Sequence, residues 1–252
     1  MRNALAILDH LLEVKNSPCT VSEIARATSI NLSTCFNVLK TLEDGRVVSF
    51  DPATKAYRLG PYLGALGNLV SADREGVRLA LAEARTVTGS TGLGCFVMTF
   101  TDREDFVVLD KVESPDPIRV TIDIGARFPP GGAVAAKAWL AWAPTAVVDD
   151  HLERHRLPLS TARSIVDPGP FRDELARTRH RGYAASLSEY YPDHNAVAAP
   201  VFGWDGLPRF LLVVVGTLSQ LPEEKIPAAG KAVAQAAARA TAGLAGRPSV
   251  AL

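Results

Sequence analysis

The stretch Thr20-Val21-Ser22-Glu23-Ile24-Ala25-Arg26-Ala27-Thr28-Ser29-Ile30-Asn31-Leu32-Ser33-Thr34-Cys35-Phe36-Asn37-Val38-Leu39-Lys40-Thr41-Leu42 carries two helical patterns in succession. Thr20 and Glu23 have the spacing of a capping box, in which the threonine hydroxyl caps the helix start and the glutamate returns the bond. Val21, Ile24 and Ala25 then fall inward, which fits a short amphipathic helix ending near Thr28. Ser29-Ile30-Asn31 is a tight polar turn with one apolar plug. In the second pattern Cys35, Val38, Leu39 and Leu42 form the inward stripe, while Ser33, Thr34, Asn37, Lys40 and Thr41 project outward. Two short helices on so brief a turn have the form of a helix-turn-helix.

The flanks complete a winged helix. Ala4, Leu5, Ile7, Leu8, Leu11 and Leu12 fall on one face of a first helix, which Asn16-Ser17-Pro18 breaks. Gly45 is expected to end the third helix in a left-handed cap. Residues 46–50 read as a strand, 51–55 as a turn and 56–59 as the returning strand, closed by Gly60-Pro61. In such a module the second helix of the pair enters the major groove, with its N-terminal residues at base edges. Ser33 and Thr34 suit close phosphate or base contact, Asn37 can pair bidentately with adenine, and Lys40 can reach a phosphate or guanine. Arg46, Lys55 and Arg58 flank the wing and are expected on the DNA backbone.

Charge qualifies this. The chain of 252 residues has zero net charge. Its first sixty residues set Arg2, Lys15, Arg26, Lys40, Arg46, Lys55 and Arg58 against Asp9, Glu13, Glu23, Glu43, Asp44 and Asp51. Non-specific DNA affinity should therefore be weak, and binding should need specific contacts and paired subunits.

Beyond the wing, helical periodicity covers 62–85 and implies a linker helix followed by the first helix of a second domain. Strand-like runs at 92–101, 106–112 and 119–122 follow, then helices at 133–143 and 171–181. Strands at 183–188, 197–202 and 210–216 and a final helix over 223–243 complete a sensor-type α/β layer fold. The expected class is α+β, divided into a winged helix-turn-helix over 1–60, a linker helix over 61–76 and an effector-binding and oligomerisation domain over 77–252. No apolar run is long enough for a transmembrane helix, and the start lacks a signal peptide, so a cytoplasmic protein without membrane contact is expected. Cys19, Cys35 and Cys95 form no disulfide or metal framework and read as single buried thiols.

Several motifs resemble the IclR family of bacterial transcription regulators. They are Ala4-Leu5-Ala6-Ile7-Leu8-Asp9, the Ser33-Thr34 to Leu39-Lys40-Thr41-Leu42-Glu43 segment and Tyr57-Arg58-Leu59-Gly60. Farther on come Leu109-Asp110-Lys111-Val112-Glu113-Ser114, Gly125-Ala126-Arg127-Phe128-Pro129, Arg181-Gly182-Tyr183-Ala184 and Ala198-Ala199-Pro200-Val201-Phe202. The resemblance spans the whole chain and implies a winged helix joined by a linker helix to a GAF-like effector domain. It also implies a homodimer or dimer of dimers whose affinity for double-stranded operator DNA is set by a small organic acid. The family usually carries arginine where this chain has Asn37, so a guanine contact is lost and adenine becomes the expected base.

The same resemblance places the effector pocket at Pro130-Gly131-Gly132-Ala133, where the family has a more polar loop, and at the segments around Ser188, Glu189 and Asn195. Ala196 stands where a cysteine is common, and Val213 and Val215 where serines are; Cys95 is placed in the same pocket. Each departure removes a polar group, which favours an aromatic or extended carboxylic acid over a two- or three-carbon one. The helix starting at Ala133 can offer free N–H groups to a carboxylate. The histidines are scattered, with no Ser-His-Asp order and no HExxH helix, so neither catalysis nor a cofactor is expected. Asp149-Asp150-His151 reads as a solvated helix start. The alternative is a small-molecule-binding protein or enzyme with a vestigial winged helix.

Overall fold

The structure, a computed structural model, describes residues 1–14, 16–70 and 74–246. The chain divides into two compact units after Arg74. The expected linker segment 61–76 therefore contains residues 71–73, and the expected domain 77–252 contains residues 247–252, that lie outside the described residues.

In the first unit α1 (Arg2–Glu13) buries Ile7 and Leu11 against Ile24 and Ala25 of α2 (Val21–Thr28) and Cys35 and Leu39 of α3 (Leu32–Asp44). Leu5 and Leu12, expected on the buried face, are each 48% exposed, because the core accepts only the narrow stripe around Ile7 and Leu11. The capping box forms in both directions: Thr20 N–H donates to Glu23 Oε2 at 2.7 Å, and Glu23 N–H donates to Thr20 Oγ1 at 3.4 Å. The Thr20 N–H bond holds the Glu23 carboxyl below the usual carboxylate range. Asn31, placed in the turn from sequence, caps α3 by accepting from Thr34 N–H at 2.8 Å.

Two expectations here need correction. Gly45 is not left-handed (φ −79°); that step falls on Arg46 (φ +57°). The wing's outgoing strand therefore starts at Val48 rather than at residue 46. The sheet has three antiparallel strands, β1 (Cys19–Thr20), β2 (Val48–Asp51) and β3 (Ala56–Leu59), in the order β1-β3-β2. β1 is too short to announce itself in sequence. Gly60 leaves the wing against the Arg46 carbonyl, where a Cβ would stand 2.3 Å from its oxygen, and α4 (Pro61–Val70) follows.

In the second unit α5 (Arg74–Thr91) leads into β4 (Cys95–Phe100), β5 (Phe106–Val112) and β6 (Arg127–Phe128). Then come α6 (Ala133–Leu140), α7 (Thr145–Arg154) and α8 (Pro168–Arg181). β7 (Ala184–Leu187), β8 (His194–Phe202), β9 (Pro208–Thr217) and α9 (Ile226–Gly243) finish it. The strands form one antiparallel sheet in the order β6-β5-β4-β9-β8-β7. Alternation along each strand feeds two cores. Cys95, Val97, Val197, Val214 and Phe210 face α5 and α9, while Phe96, Met98, Ala198, Val213 and Leu211 face α6, α7 and α8.

Residues 119–122 form no strand; the edge belongs to β6, whose Arg127 and Phe128 pair with Val107 and Phe106. The helix expected over 133–143 ends at Leu140. Asp149, Asp150 and His151 lie in the middle of α7 rather than at a helix start, and His151 is buried with its ring centroid 4.8 Å from that of His155. Burial, then the neighbouring imidazole, holds His151 below its ordinary value.

Alanine lets α9 approach the sheet closely. At Gly230 a Cβ would meet the Tyr183 ring at 2.2 Å. In an open helix position Gly→Ala adds roughly 1 kcal/mol of stability. Here Gly230→Ala is expected instead to cost about 1–3 kcal/mol through overpacking. A thermal melt followed by circular dichroism checks it: a raised Tm would mean that the ring moves aside without cost.

Candidate DNA interface and ligand cavity

The outward face of α3 presents Ser33, Asn37 and Lys40, all exposed, with Thr34 half-buried. Thr34 donates its N–H to the Asn31 cap, and Thr41 Oγ1 donates to the Asn37 carbonyl at 3.0 Å, leaving the Asn37 amide outside these helix bonds. On the wing, Lys55 sits in the hairpin turn with φ +52°. Asp51 organises that turn by accepting from Ala53 N–H at 3.0 Å and Thr54 Oγ1 at 2.9 Å, and those bonds hold its carboxyl below the usual range. Arg58 reaches Asp51 only at 3.9 Å and is exposed, as is Arg46. The exposed side chains of α3 and of the wing are thus hydroxyl, amide and cationic groups of the kind that meet base edges and phosphates.

The second unit holds a cavity of about 570 Å³ on the α6 face of the sheet. Its floor is cross-strand: Ser186, Ala196 and Val215 are direct partners on β7, β8 and β9, with Met98 and Val213 beside them. Ile122, Ala126 and Phe128 also line the cavity, as do Gly132, Val134 and Ala135 at the start of α6. Tyr190, Tyr191 and His194 rim it. Their rings form a chain with Phe128: Phe128 to Tyr190 at 6.0 Å, Tyr190 to Tyr191 at 4.9 Å, Tyr191 to His194 at 5.7 Å. Burial pushes the Tyr190 phenol up from its ordinary value. Arg127 also lines the space, but its guanidinium is held by Asp105 at 2.6 Å.

The residues named from sequence for this pocket divide. Gly132, Ala196, Val213 and Val215 line the cavity. Cys95 does not: alternation turns it to the α5 and α9 side, where burial pushes its thiol up to about 12. Gly131 packs on Pro158, and Ala133 opens α6 with its side chain outside the described residues. Asn195 is buried with both ends of its amide bonded to main chain, accepting from Ser188 N–H at 3.0 Å and donating to the Leu221 carbonyl at 2.9 Å. Ser188 takes φ +56° at the loop entrance, and its carbonyl accepts from Thr161 Oγ1.

Glu189 is turned inward to Lys137. The Lys137 side chain, 1% exposed, donates to Glu189 Oε1 at 2.7 Å, to Oε2 at 2.9 Å and to the Ala185 carbonyl. Burial lowers the Lys137 pKa, and the Glu189 charge opposes that. The pair clamps α6 to β7 and to the loop that carries Tyr190 and Tyr191. Sequence reasoning missed the tyrosines, His194 and Ser186. For Ser186, the alternation of β7 against Ala196 was the available signal.

Comparison with known families matches residues 2–52 to the IclR helix-turn-helix domain and residues 79–242 to the C-terminal domain of the bacterial transcriptional regulator IclR. The chain belongs to the IclR family. IclR-family relatives run along nearly its whole length. The uncharacterized HTH-type regulator RhmR of Escherichia coli is 30% identical over 93% of this chain and 89% of its own, and BhcR of Paracoccus denitrificans is 30% identical over 97% and 86%. An IclR regulator from Alicyclobacillus acidocaldarius superposes with a TM-score of 0.80 at 31% identity, over 96% of this chain and 97% of that one. A homologue from Microbacterium hydrocarbonoxydans, solved with 4-hydroxybenzoate, superposes at 0.78 over 96% and 98%; at 19% identity that likeness is one of fold. This chain is accordingly a transcriptional regulator with a DNA-binding helix-turn-helix and an effector domain. Among the described residues no helix is long and apolar enough to cross a membrane, and no group of three or more His, Cys, Asp or Glu side chains is placed to hold a metal.

In this IclR-family chain the Lys137–Glu189 pair gives a direct test of the cavity's architecture. Lys137→Met is expected to destabilise the second unit by about 3–5 kcal/mol, because it strands a mostly buried carboxylate. Adding Glu189→Gln should restore a large part. Urea denaturation measures both, and a double variant no more stable than Lys137→Met would show that the lost packing, not the charge, was decisive.

Proposed function

We propose that operator affinity in this regulator is set by an aromatic or extended organic carboxylic acid bound in the cavity of the second unit. The lining is the observation that carries this. Ala196, Val213, Val215, Met98 and Phe128 present apolar surface, and a two- or three-carbon acid would leave most of the 570 Å³ unfilled. Aromatic rings favour offset or edge-on neighbours at 4.5–7 Å, which the Phe128–Tyr190–Tyr191 chain is built to offer. The carboxylate end belongs at the start of α6, where the Gly132 cap supplies no side-chain bond and the first helical N–H groups can meet an anion. The regulator that holds 4-hydroxybenzoate is consistent with this ligand class.

A thermal-shift series tests it. At a hundredfold excess over Kd a ligand adds about 2.7 kcal/mol to the folded state. For a chain of this size that is a rise of roughly 5–10 °C. Benzoate-type acids should produce it, and Ala196→Leu, which fills the floor, should abolish it. Stabilisation by pyruvate or glyoxylate with no response to aromatic acids would overturn the assignment.

On DNA, Ser33, Thr34, Asn37 and Lys40 are proposed to enter the major groove, with Arg46, Lys55 and Arg58 on phosphates. With so little net charge the contacts are proposed to work in pairs, from two copies of the chain. The exposed Leu5, Leu12, Tyr62 and Leu66 of the first unit give those copies apolar surface to share. Asn37→Ala is expected to cost about 1–3 kcal/mol at the operator, confined to an A·T position. Fluorescence anisotropy on operator and scrambled duplexes decides, since an equal loss on both would assign Asn37 to the backbone.

A further inference from the structure

The recognition helix keeps two large apolar side chains out of the core. Leu32 and Phe36 are 53% and 47% exposed, and neither belongs to the cluster that Cys35 and Leu39 join. At about 100° per residue, positions four apart form a ridge along a helix, so Leu32, Phe36 and Lys40 make one ridge. Ser33, Asn37 and Thr41 make the next. The second ridge is wholly polar. The first is apolar over the helix's opening turns, which in a helix-turn-helix are the turns that meet base edges.

A side chain that cannot hydrogen-bond has one specific partner on the floor of the major groove. Guanine, cytosine and adenine show only donors and acceptors there, whereas thymine adds the 5-methyl group. We propose that Phe36, flanked by Leu32, is a specificity-determining residue that packs on thymine methyl groups beside the base met by Asn37. Asn37 suits adenine and Phe36 suits thymine, so the two ridges together select neighbouring A·T pairs. This extends the proposed placement of α3 in the major groove and depends on it.

The test uses the full chain. A random-sequence duplex library is selected on the wild-type protein, and the selected duplex is then remade with each thymine replaced singly by deoxyuridine, which lacks only the methyl. At one or two positions the wild type should bind the uracil duplex about fourfold more weakly, the worth of one buried methyl. Phe36→Ala should bind the thymine and uracil duplexes equally, and Phe36→Leu should regain part of the preference. Circular dichroism melts show whether the variants fold; the uracil series on the wild type stands without them. Uracil that is neutral at every thymine, or a uracil penalty that survives in folded Phe36→Ala, overturns the proposal while leaving α3 in the groove. Selection that yields no consensus overturns the placement of α3 itself.

Discussion

A lysine side chain that solvent hardly reaches organises the ligand-holding half of this protein. Burying an ammonium group is costly unless it is paired and hydrogen-bonded, and Lys137 has both a carboxylate and a carbonyl around it. Its three hydrogen bonds, to these two partners, join elements far apart in sequence: helix α6, strand β7 and the loop after Ser188. Replacing one end of such a pair is worse than replacing both, so the geometry is held by a mutual need rather than by a large net gain. The cavity is what this clamp leaves open. The start of α6 lines it, and Tyr190 and Tyr191, next along the chain from Glu189, form its rim.

The sheet settles which side chains can belong to that cavity. Successive residues of a strand face opposite layers. Val213 and Val215 therefore see the cavity while Val214 sees α9, and Cys95, opposite Val214, goes with it. The same rule puts Ser186 across from Ala196 on the cavity floor. The α5 and α9 layer is kept close by small residues, which is why Tyr183 can lie where a Gly230 side chain would otherwise be.

The two halves of the chain were unequally legible in the sequence. The winged helix is built from local signals, such as the capping box at Thr20 and the stripe through Cys35 and Leu39, and these carry their structure with them. The failures there were local as well. Arg46 took the left-handed step expected of Gly45, and two-residue β1 exists only because β3 comes to pair with it. The cavity is different, since its walls come from segments near residues 98, 122, 134, 190 and 213 that only long-range pairing brings together. Asn195 shows the difficulty at a single residue. A polar side chain beside a predicted pocket looks like a ligand anchor, yet Asn195 is buried away from the cavity lining, its amide oxygen and one amide N–H taken by main chain.

The largely apolar floor has a consequence for how such a site discriminates. With Ala196, Val213 and Val215 beside Ser186 on the floor, polar groups gather at Ser186 and at the Tyr190, Tyr191 and His194 rim, and a missing hydroxyl or amine costs most where a buried partner is left unpaired. Over the apolar part of the floor, selection of the proposed acid would come from shape and from where its carboxylate falls relative to α6. Adding or removing a methylene in such a pocket is worth only about 1–3 kcal/mol. A family of related acids should then bind within a narrow range of affinities. Because coupling between two sites is reciprocal, each of them can move the DNA equilibrium only by the difference in its affinity for the free and DNA-bound forms. Ligands that fit the same space equally well can still differ as effectors, and tight binding to the isolated protein does not by itself predict a regulatory response.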